Sequence, residues 1–247
     1  MNKKHENLLD TLLQIPPDFV EAKRIISNEG LNQQDINDTA GKYVDECICE
    51  CMKFGDEDWN LDYTCDSILP GVYSTSLYAV LAFLLKNGLD PNYKNIYNES
   101  FLFNIRFISN EFVAADSMKL LLEHGADINA VDPPQTVFKS IEFDLLYDAV
   151  EQYGRDRFES LAHLWLVCLA YGGKTETPER MIAFPAYGTR KLFDLTELKD
   201  HRRFYVGVGS DSANTDENGV SWSRPWSGEY IIQVFDKKTH CEVLRIW

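Results

Sequence analysis

Four segments of the chain share one pattern, an apolar helical run that ends at a glycine. They cover residues 19–30, 77–88, 118–125 and 161–172. A glycine directly after a helix adopts the left-handed conformation that closes the last turn, which strains residues that carry a Cβ. The pattern therefore predicts four helices, each ending just before its glycine.

Each of these segments is preceded by a second stretch with helical character. The upstream stretches cover residues 4–14, 39–54, 100–109 and 136–153. The repeated unit is therefore a pair of antiparallel helices. One pair cannot bury its own apolar face, so we expect the pairs to stack into a solenoid. The spacing between the four glycines is unequal, which indicates a degenerate repeat with insertions, the largest at residues 55–71.

The best-defined repeat carries a recognisable motif. Residues 118–132 read MKLLLEHGADINAVD, and residues 84–92 read LLKNGLDPN. These segments resemble the ankyrin-repeat family, in a degenerate form of bacterial type. The resemblance is specific over residues 75–141. There Thr136 and Phe138 keep the family's pattern, whereas Gln135, Val137 and Lys139 depart from it. Only the helix–glycine pattern remains at either end of the chain.

The last quarter of the chain has a different period. Residues 203–209, 229–235 and 240–246 alternate as β-strands do, and residues 236–239 form a hairpin-turn candidate. We predict a mainly α protein: an ankyrin-like α-solenoid of about four helix pairs with a small C-terminal antiparallel β extension. The helical repeat domain would cover residues 1–184. The β extension would cover residues 185–247 and cap the solenoid.

The chain is strongly acidic, with 24 Lys and Arg against 39 Asp and Glu in 247 residues, a net charge of −15. This charge repels phosphate backbones and anionic lipid, so we expect neither nucleic acid nor a membrane as partner. It favours a basic protein. The first residues lack the apolar core of a signal peptide, and six cysteines are too few for a disulfide scaffold, so we expect a cytoplasmic protein.

Two patterns are candidate metal sites, but neither has the residues that such a site needs. Cys47, Cys49 and Cys51 lie on a predicted helix, where alternate residues point about 200° apart, so they cannot all bind one ion with Cys65. Residues 56–67 resemble a calcium loop in part, but Leu61 stands where a glycine is needed. Ser67 stands where a bidentate glutamate closes the site. The sequence therefore predicts no metal and no cofactor, and residues 56–66 are interpreted as an acidic surface loop.

The resemblance implies a protein-binding module that uses its hairpin tips. By analogy with small acidic ankyrin-like proteins, it also implies an immunity- or antitoxin-type inhibitor of a basic protein. The expected contact residues lie in the acidic insertion and at two tips: Asp56, Glu57, Asp58, Asp62, Asp66, Asn92, Asn95, Asn129, Asp132 and Gln135.

Two alternatives stay open. One is an enzyme or a small-ligand-binding protein with its site in the C-terminal β segment, where His201, Asp211 and His240 are the candidate residues. No nucleophile elbow, zinc-protease motif or phosphate loop supports it, so we expect no enzyme and no catalytic residue. The other is a structural subunit that assembles through its capping sheet, and the sequence leaves the oligomeric state open.

Overall fold

The computed structural model describes residues 3–51, 73–95, 98–108, 112–132, 135–151, 155–175, 181–185, 191–210 and 230–246. The chain divides into two compact units, Met1–Asp127 and Ile128–Trp247. The domain boundary predicted from the change in sequence period, between residues 184 and 185, falls inside the second unit and stays a prediction. The acidic insertion at residues 55–71 lies outside the described residues.

The described part of the first unit is helical. Its helices are α1 (Lys3–Leu12), α2 (Phe19–Glu29), α3 (Gln33–Cys51), α4 (Leu77–Lys86), α5 (Phe101–Ile105) and α6 (Val113–Glu123). Local sequence explains several ends. The Asp18 side chain accepts the N–H groups of Val20 and Glu21 and so caps α2, and the Ser100 side chain accepts the N–H of Phe103 and caps α5.

The four glycines predicted to end helices all have positive φ. The values are 61° at Gly30, 104° at Gly88, 93° at Gly125 and 86° at Gly172. These angles lie in the region that glycine enters without a steric penalty. The helix–glycine pattern is therefore confirmed at all four positions.

Side-chain amides repeat one hydrogen-bonding pattern along the chain. In the first unit, the N–H of Asp90 donates to Oδ1 of Asn37, and the N–H of Asp127 donates to Oδ1 of Asn92 (2.9 and 2.8 Å). Nδ2 of Asn92 also donates to the carbonyl oxygen of Gly125 (2.9 Å). Each asparagine side chain thereby binds the backbone of a turn that is distant in sequence. We call these contacts the asparagine bridges.

The second unit repeats the bridge with Asn129. Its Nδ2 donates to the carbonyl oxygen of Gly172 (3.0 Å), and its Oδ1 accepts the N–H of Lys174 (3.1 Å). Asn92 and Asn129 thus make the same pair of bonds, one to the glycine that follows a helix and one to the residue two positions later. The recurrence relates the two segments by geometry as well as by sequence.

The second unit combines two long helices with a sheet. Its elements are the strand pair β1 (Val131–Asp132) and β2 (Gln135–Thr136), helices α7 (Val137–Glu151) and α8 (Arg155–Ala170), and strands β3 (Met181–Ala183), β4 (Phe204–Ser210), β5 (Tyr230–Asp236) and β6 (Glu242–Ile246). The last four strands form one antiparallel sheet in the order β3-β6-β5-β4. Short 3-10 turns, Leu195–Lys199 and His201–Arg203, precede β4.

Helix α8 is the centre of the second unit. Every residue from 160 to 170 is buried, because α7 packs on it, as do both 3-10 turns and β4. A helix that is apolar all round requires cover on all sides, so the sheet is part of the core of this unit. The Trp165 ring stacks on Phe138 of α7 with centroids 6.4 Å apart, and its indole Nε1 donates to Oε1 of Glu142 (3.3 Å).

The predicted fold class is wrong. The described residues form eight helices, are 57% helical and include a four-stranded antiparallel sheet, which makes the fold mixed α/β rather than mainly α. The three predicted strands occur within two residues of their expected ends, and β3 adds a fourth that is only three residues long. The arrangement of helix pairs as a solenoid is neither confirmed nor excluded. Within the described residues, no helix has the length and apolar character needed to span a membrane.

Candidate functional site

The predicted contact residues divide into three groups. Those of the acidic insertion, Asp56, Glu57, Asp58, Asp62 and Asp66, lie outside the described residues, as does the whole of the partial calcium loop. The side chain of Asp132 also lies outside the described part of the structure. Its backbone pairs with that of Gln135 in the short β1–β2 hairpin, where Gln135 is half-buried. The remaining three are asparagines, and the structure describes all of them.

The three asparagines are engaged within the fold. Asn92 and Asn129 form the asparagine bridges, with both ends of each amide bonded to backbone. Asn95 closes a turn, since its Oδ1 accepts the N–H of Glu99 (3.0 Å) and its Nδ2 donates to Oε2 of Glu99 (3.1 Å). Their role in this structure is to shape the loops. Their part in binding a partner stays a prediction.

A second group of polar side chains meets beside α3. The hydroxyl of Tyr93 donates to Oδ1 of Asp38 (2.6 Å), and Nε2 of Gln34 donates to the same Oδ1 (2.9 Å) and to the Tyr93 hydroxyl (3.2 Å). Partial burial, followed by the hydrogen bond to Asp38, raises the pKa of Tyr93, so the phenol stays protonated at neutral pH. The loop that follows α4 is thus fastened to α3 by a polar contact at the surface.

Close packing brings more of this loop to α3. The Phe101 ring lies 5.7 Å from the Tyr93 ring, centroid to centroid, and its edge lies 4.0 Å from where a Cβ on Gly41 would stand. Residues 34, 38, 41 and 45 follow one face of the helix, because three or four residues separate each from the next. The loop carrying Tyr93, Glu99 and Phe101 therefore runs beside that face.

Negative charge accumulates at the far end of this face. Asp45 is exposed, and partial desolvation of its carboxyl group, followed by the charges of Glu99 and Glu46, raises its pKa. Among the residues that the structure describes, no ion pair involves Asp45 or Glu46. We name Asp38, Asp45, Glu46, Glu99 and Tyr93 the α3 acidic surface. Like charges held together in this way favour a cationic ligand.

Sequence reasoning missed the α3 acidic surface. Its members come from two segments more than 45 residues apart, and Phe101 packs beside Gly41 where the two segments meet. One signal was available: Asp38 and Asp45 are two helical turns apart, a spacing that places both carboxylates on one face. Nothing in the sequence pattern indicated that Glu99 would join them.

The cysteine cluster does not form a described metal site. Cys47 is fully buried in α3, where a cysteine packs as a small apolar residue. The side chains of Cys49 and Cys51, together with Cys65, lie outside the described residues. Within the described part of the chain, no three His, Cys, Asp or Glu side chains are grouped so that they could hold a metal ion.

The candidate catalytic residues of the β segment have separate surroundings. His201 is buried, and its Nδ1 lies 3.1 Å from Nδ1 of His163 on α8. His240 is exposed in the turn between β5 and β6, with φ of 56°. Asp211 lies outside the described residues. The sequence did not predict the contact of His201 with His163, because 38 residues separate the two.

An ion-pair network fixes the turn beside β4. The carboxylate of Asp236, 2% exposed, accepts Nε and Nη2 of Arg203 (2.9 and 2.5 Å), and Nη1 of Arg203 donates to Oε2 of Glu197 (2.8 Å). Burial alone would raise the pKa of Asp236. The bonds from Arg203 and from the N–H of Lys238 outweigh burial, so this pKa is lowered. One guanidinium thus bonds to two carboxylates, and these bonds hold the charged groups in place beside β4.

Comparisons with protein-family models, with curated proteins and with solved structures found no match to this chain. The resemblance to ankyrin repeats therefore rests on the motif at residues 84–92 and 118–132.

Proposed function

We propose that this chain is a non-enzymatic protein-binding module for a basic protein partner, with the α3 acidic surface as part of its contact area. The observation that carries the proposal is the grouping of Asp38, Asp45 and Glu99 along one face of α3, where partial burial, and then repulsion from Glu99 and Glu46, raises the pKa of Asp45. Lysine or arginine side chains placed there would relieve that repulsion. The predicted acidic residues 56–66 and the predicted tips at residues 92–96 and 129–135 would add further contact area of the same kind.

Two further features support this proposal. The first unit carries most of the excess charge, with 21 acidic and 10 basic residues in positions 1–127. Such an excess raises the association rate of an oppositely charged protein. The asparagine bridges recur at the motif positions on which the ankyrin resemblance rests, and that family's members act by binding proteins. An immunity- or antitoxin-type inhibitor that covers a basic active site is the form of this function we favour.

The proposed location is the cytoplasm. Cys168 and Cys241 are thiols in the structure, and a reducing compartment keeps such thiols reduced.

Affinity capture with matched baits tests the proposal. The full chain is compared with a triple variant of the α3 acidic surface, Asp45→Asn, Glu46→Gln and Glu99→Gln. A control bait removes the same number of charges elsewhere, by Glu6→Gln, Asp10→Asn and Asp200→Asn. We expect one basic protein to be retained by the full chain and the control, and lost from the triple variant and at roughly 0.5 M salt, where screening is strong.

A partner retained equally by all three baits would refute the role of the α3 acidic surface. A fourth bait, with Asp56, Glu57, Asp58 and Asp62 changed to Asn or Gln, then measures the contribution of the insertion. The captured protein is finally purified and its own activity assayed with and without the full chain. Loss of that activity at equimolar chain supports the inhibitor form, and unchanged activity refutes it.

A further inference from the structure

Two imidazoles face each other inside the second unit. His163 lies on α8 and is 1% exposed, while His201 opens the 3-10 turn His201–Arg203 and is 2% exposed. Their Nδ1 atoms are 3.1 Å apart, and the rings meet edge to face with centroids 5.0 Å apart. A hydrogen bond between two Nδ1 atoms requires one to donate and the other to accept, so at least one ring must be neutral.

We propose that the His163–His201 pair is an acid-sensitive latch, which holds the 3-10 turn before β4 against α8 at neutral pH and releases it on acidification. Protonation of both rings would place two N–H groups opposite each other in a buried site. The attractive contact would then become repulsive, and its relief requires the turn and the helix to separate.

The surrounding charges strengthen this response. Burial, followed by the charges of His201, Lys237 and Arg202, lowers the pKa of His163 to about 4. The other charged groups on the elements that pack against α8 are engaged elsewhere or half-exposed. Glu197 pairs with Arg203, Lys199 lies over the Tyr171 ring, and Glu142 accepts the Trp165 indole. Lys139 and Asp144 of α7 are half-buried.

Separation of His201 from His163 would also affect the sheet, because the 3-10 turn that begins at His201 is hydrogen-bonded to it. The N–H of Phe204, the first residue of β4, donates to the carbonyl oxygen of His201. The carbonyl oxygen of the adjacent Arg203 accepts the N–H of Lys237, in the turn between β5 and β6 (2.9 Å). Movement of the 3-10 turn therefore pulls on both the start of β4 and the neighbouring turn.

The direction and size of the effect follow from linkage. An unfolded or opened chain gives His163 its ordinary pKa of 6.5, whereas the closed state holds it near 4. The open state therefore binds more protons between these values, and closure weakens as the pH falls from 6.5 to 4. The opening equilibrium should rise about 30-fold between pH 7.5 and pH 5, and roughly 300-fold below pH 4.

Hydrogen exchange of the full chain, corrected for the intrinsic pH dependence of the amide rate, tests the latch. We expect the opening equilibrium of residues 201–208 to increase about 30-fold from pH 7.5 to pH 5 in the native chain. His163→Phe replaces the titrating ring with an apolar one and should reduce that increase below about threefold. His240→Asn, on an exposed histidine, serves as the control and should behave as the native chain does.

An equal pH response in the native chain and in His163→Phe would overturn the proposal. If His163→Phe does not fold, His163→Gln provides the same test, because it also replaces the titrating ring with a side chain that has no charge at any of these pH values. A proton NMR titration of the His163 ring in the native chain decides independently of any variant. A midpoint below pH 5 supports the latch, and a midpoint near 6.5 refutes it.

Discussion

Replacing Asn129 by alanine should weaken the second unit measurably. The substitution removes two hydrogen bonds, from Nδ2 to the carbonyl oxygen of Gly172 (3.0 Å) and from the N–H of Lys174 to Oδ1 (3.1 Å). A typical intramolecular hydrogen bond contributes about 0.5–1.5 kcal/mol. The site is half-buried, so water replaces part of what is lost, and we expect a total cost of about 1–2 kcal/mol.

Urea unfolding followed by circular dichroism and tryptophan fluorescence measures this cost. Calorimetry should show a matching fall in Tm of roughly 2–8 °C. Asn129→Asp keeps the acceptor for Lys174 but turns a second oxygen toward the Gly172 carbonyl, so it should cost at least as much as alanine at neutral pH. Asn92→Ala removes the equivalent pair of bonds in the first unit and should lose a similar amount.

A control separates the bridge from simple truncation. Asn28 is exposed on α2 and has no described hydrogen-bond partner for its side chain. Asn28→Ala should be neutral or slightly stabilising, because alanine has the higher helix propensity. The reasoning fails if Asn129→Ala changes the free energy of unfolding by no more than Asn28→Ala does, since the bridge would then contribute nothing beyond what water supplies.

Two further substitutions test the packing and the electrostatics of the second unit. Gly173→Ala would place a Cβ 2.7 Å from the Phe138 ring, and this overpacking should lower the free energy of unfolding by about 1–3 kcal/mol. Gly172→Ala meets open space and should lower it by only about 1 kcal/mol, because alanine is strained at the positive φ of this residue. Urea unfolding of both variants measures the difference. Arg203→Ala should cost about 2–3 kcal/mol at pH 7 by leaving the buried Asp236 unpaired. The substitution should also raise the pKa of Asp236. The difference in unfolding free energy between the variant and the native chain should therefore shrink below about pH 4, because protonation of Asp236 removes the stabilisation by the ion pair in the native chain too. Unfolding measured at pH 7 and pH 3 tests both effects.

The helices were predictable because their signals are local. Each predicted helical segment overlaps an observed helix, and the capping glycines have the expected backbone angles. The strands at 203–209, 229–235 and 240–246 were predictable for the same reason, since a period of two can be seen within seven residues. A three-residue strand such as β3 is too short to show a period of two in the sequence.

The fold class was not predictable from these signals. The apolar run at residues 161–170 predicts a helix that stacks on other helices, whereas it is buried on every side and covered in part by the sheet. Whether an apolar helix is covered by other helices or by strands depends on contacts distant in sequence. The α3 acidic surface and the His163–His201 pair were not predicted for the same reason, because each depends on contacts between residues that are distant in sequence.

The asparagine bridges leave the fold tolerant of changes in chain length. In each bridge a backbone N–H donates to an asparagine Oδ1, and the sequence separation between the two residues is 35 for Asn92, 45 for Asn129 and 53 for Asn37. Because each doubling of a flexible loop costs only about 0.6 kcal/mol, residues inserted between two anchors disturb stability little while the anchors persist. Insertions and deletions among descendants of such a chain should therefore accumulate between the anchored turns, and loss of an anchoring asparagine should restrict how far the intervening segment can vary.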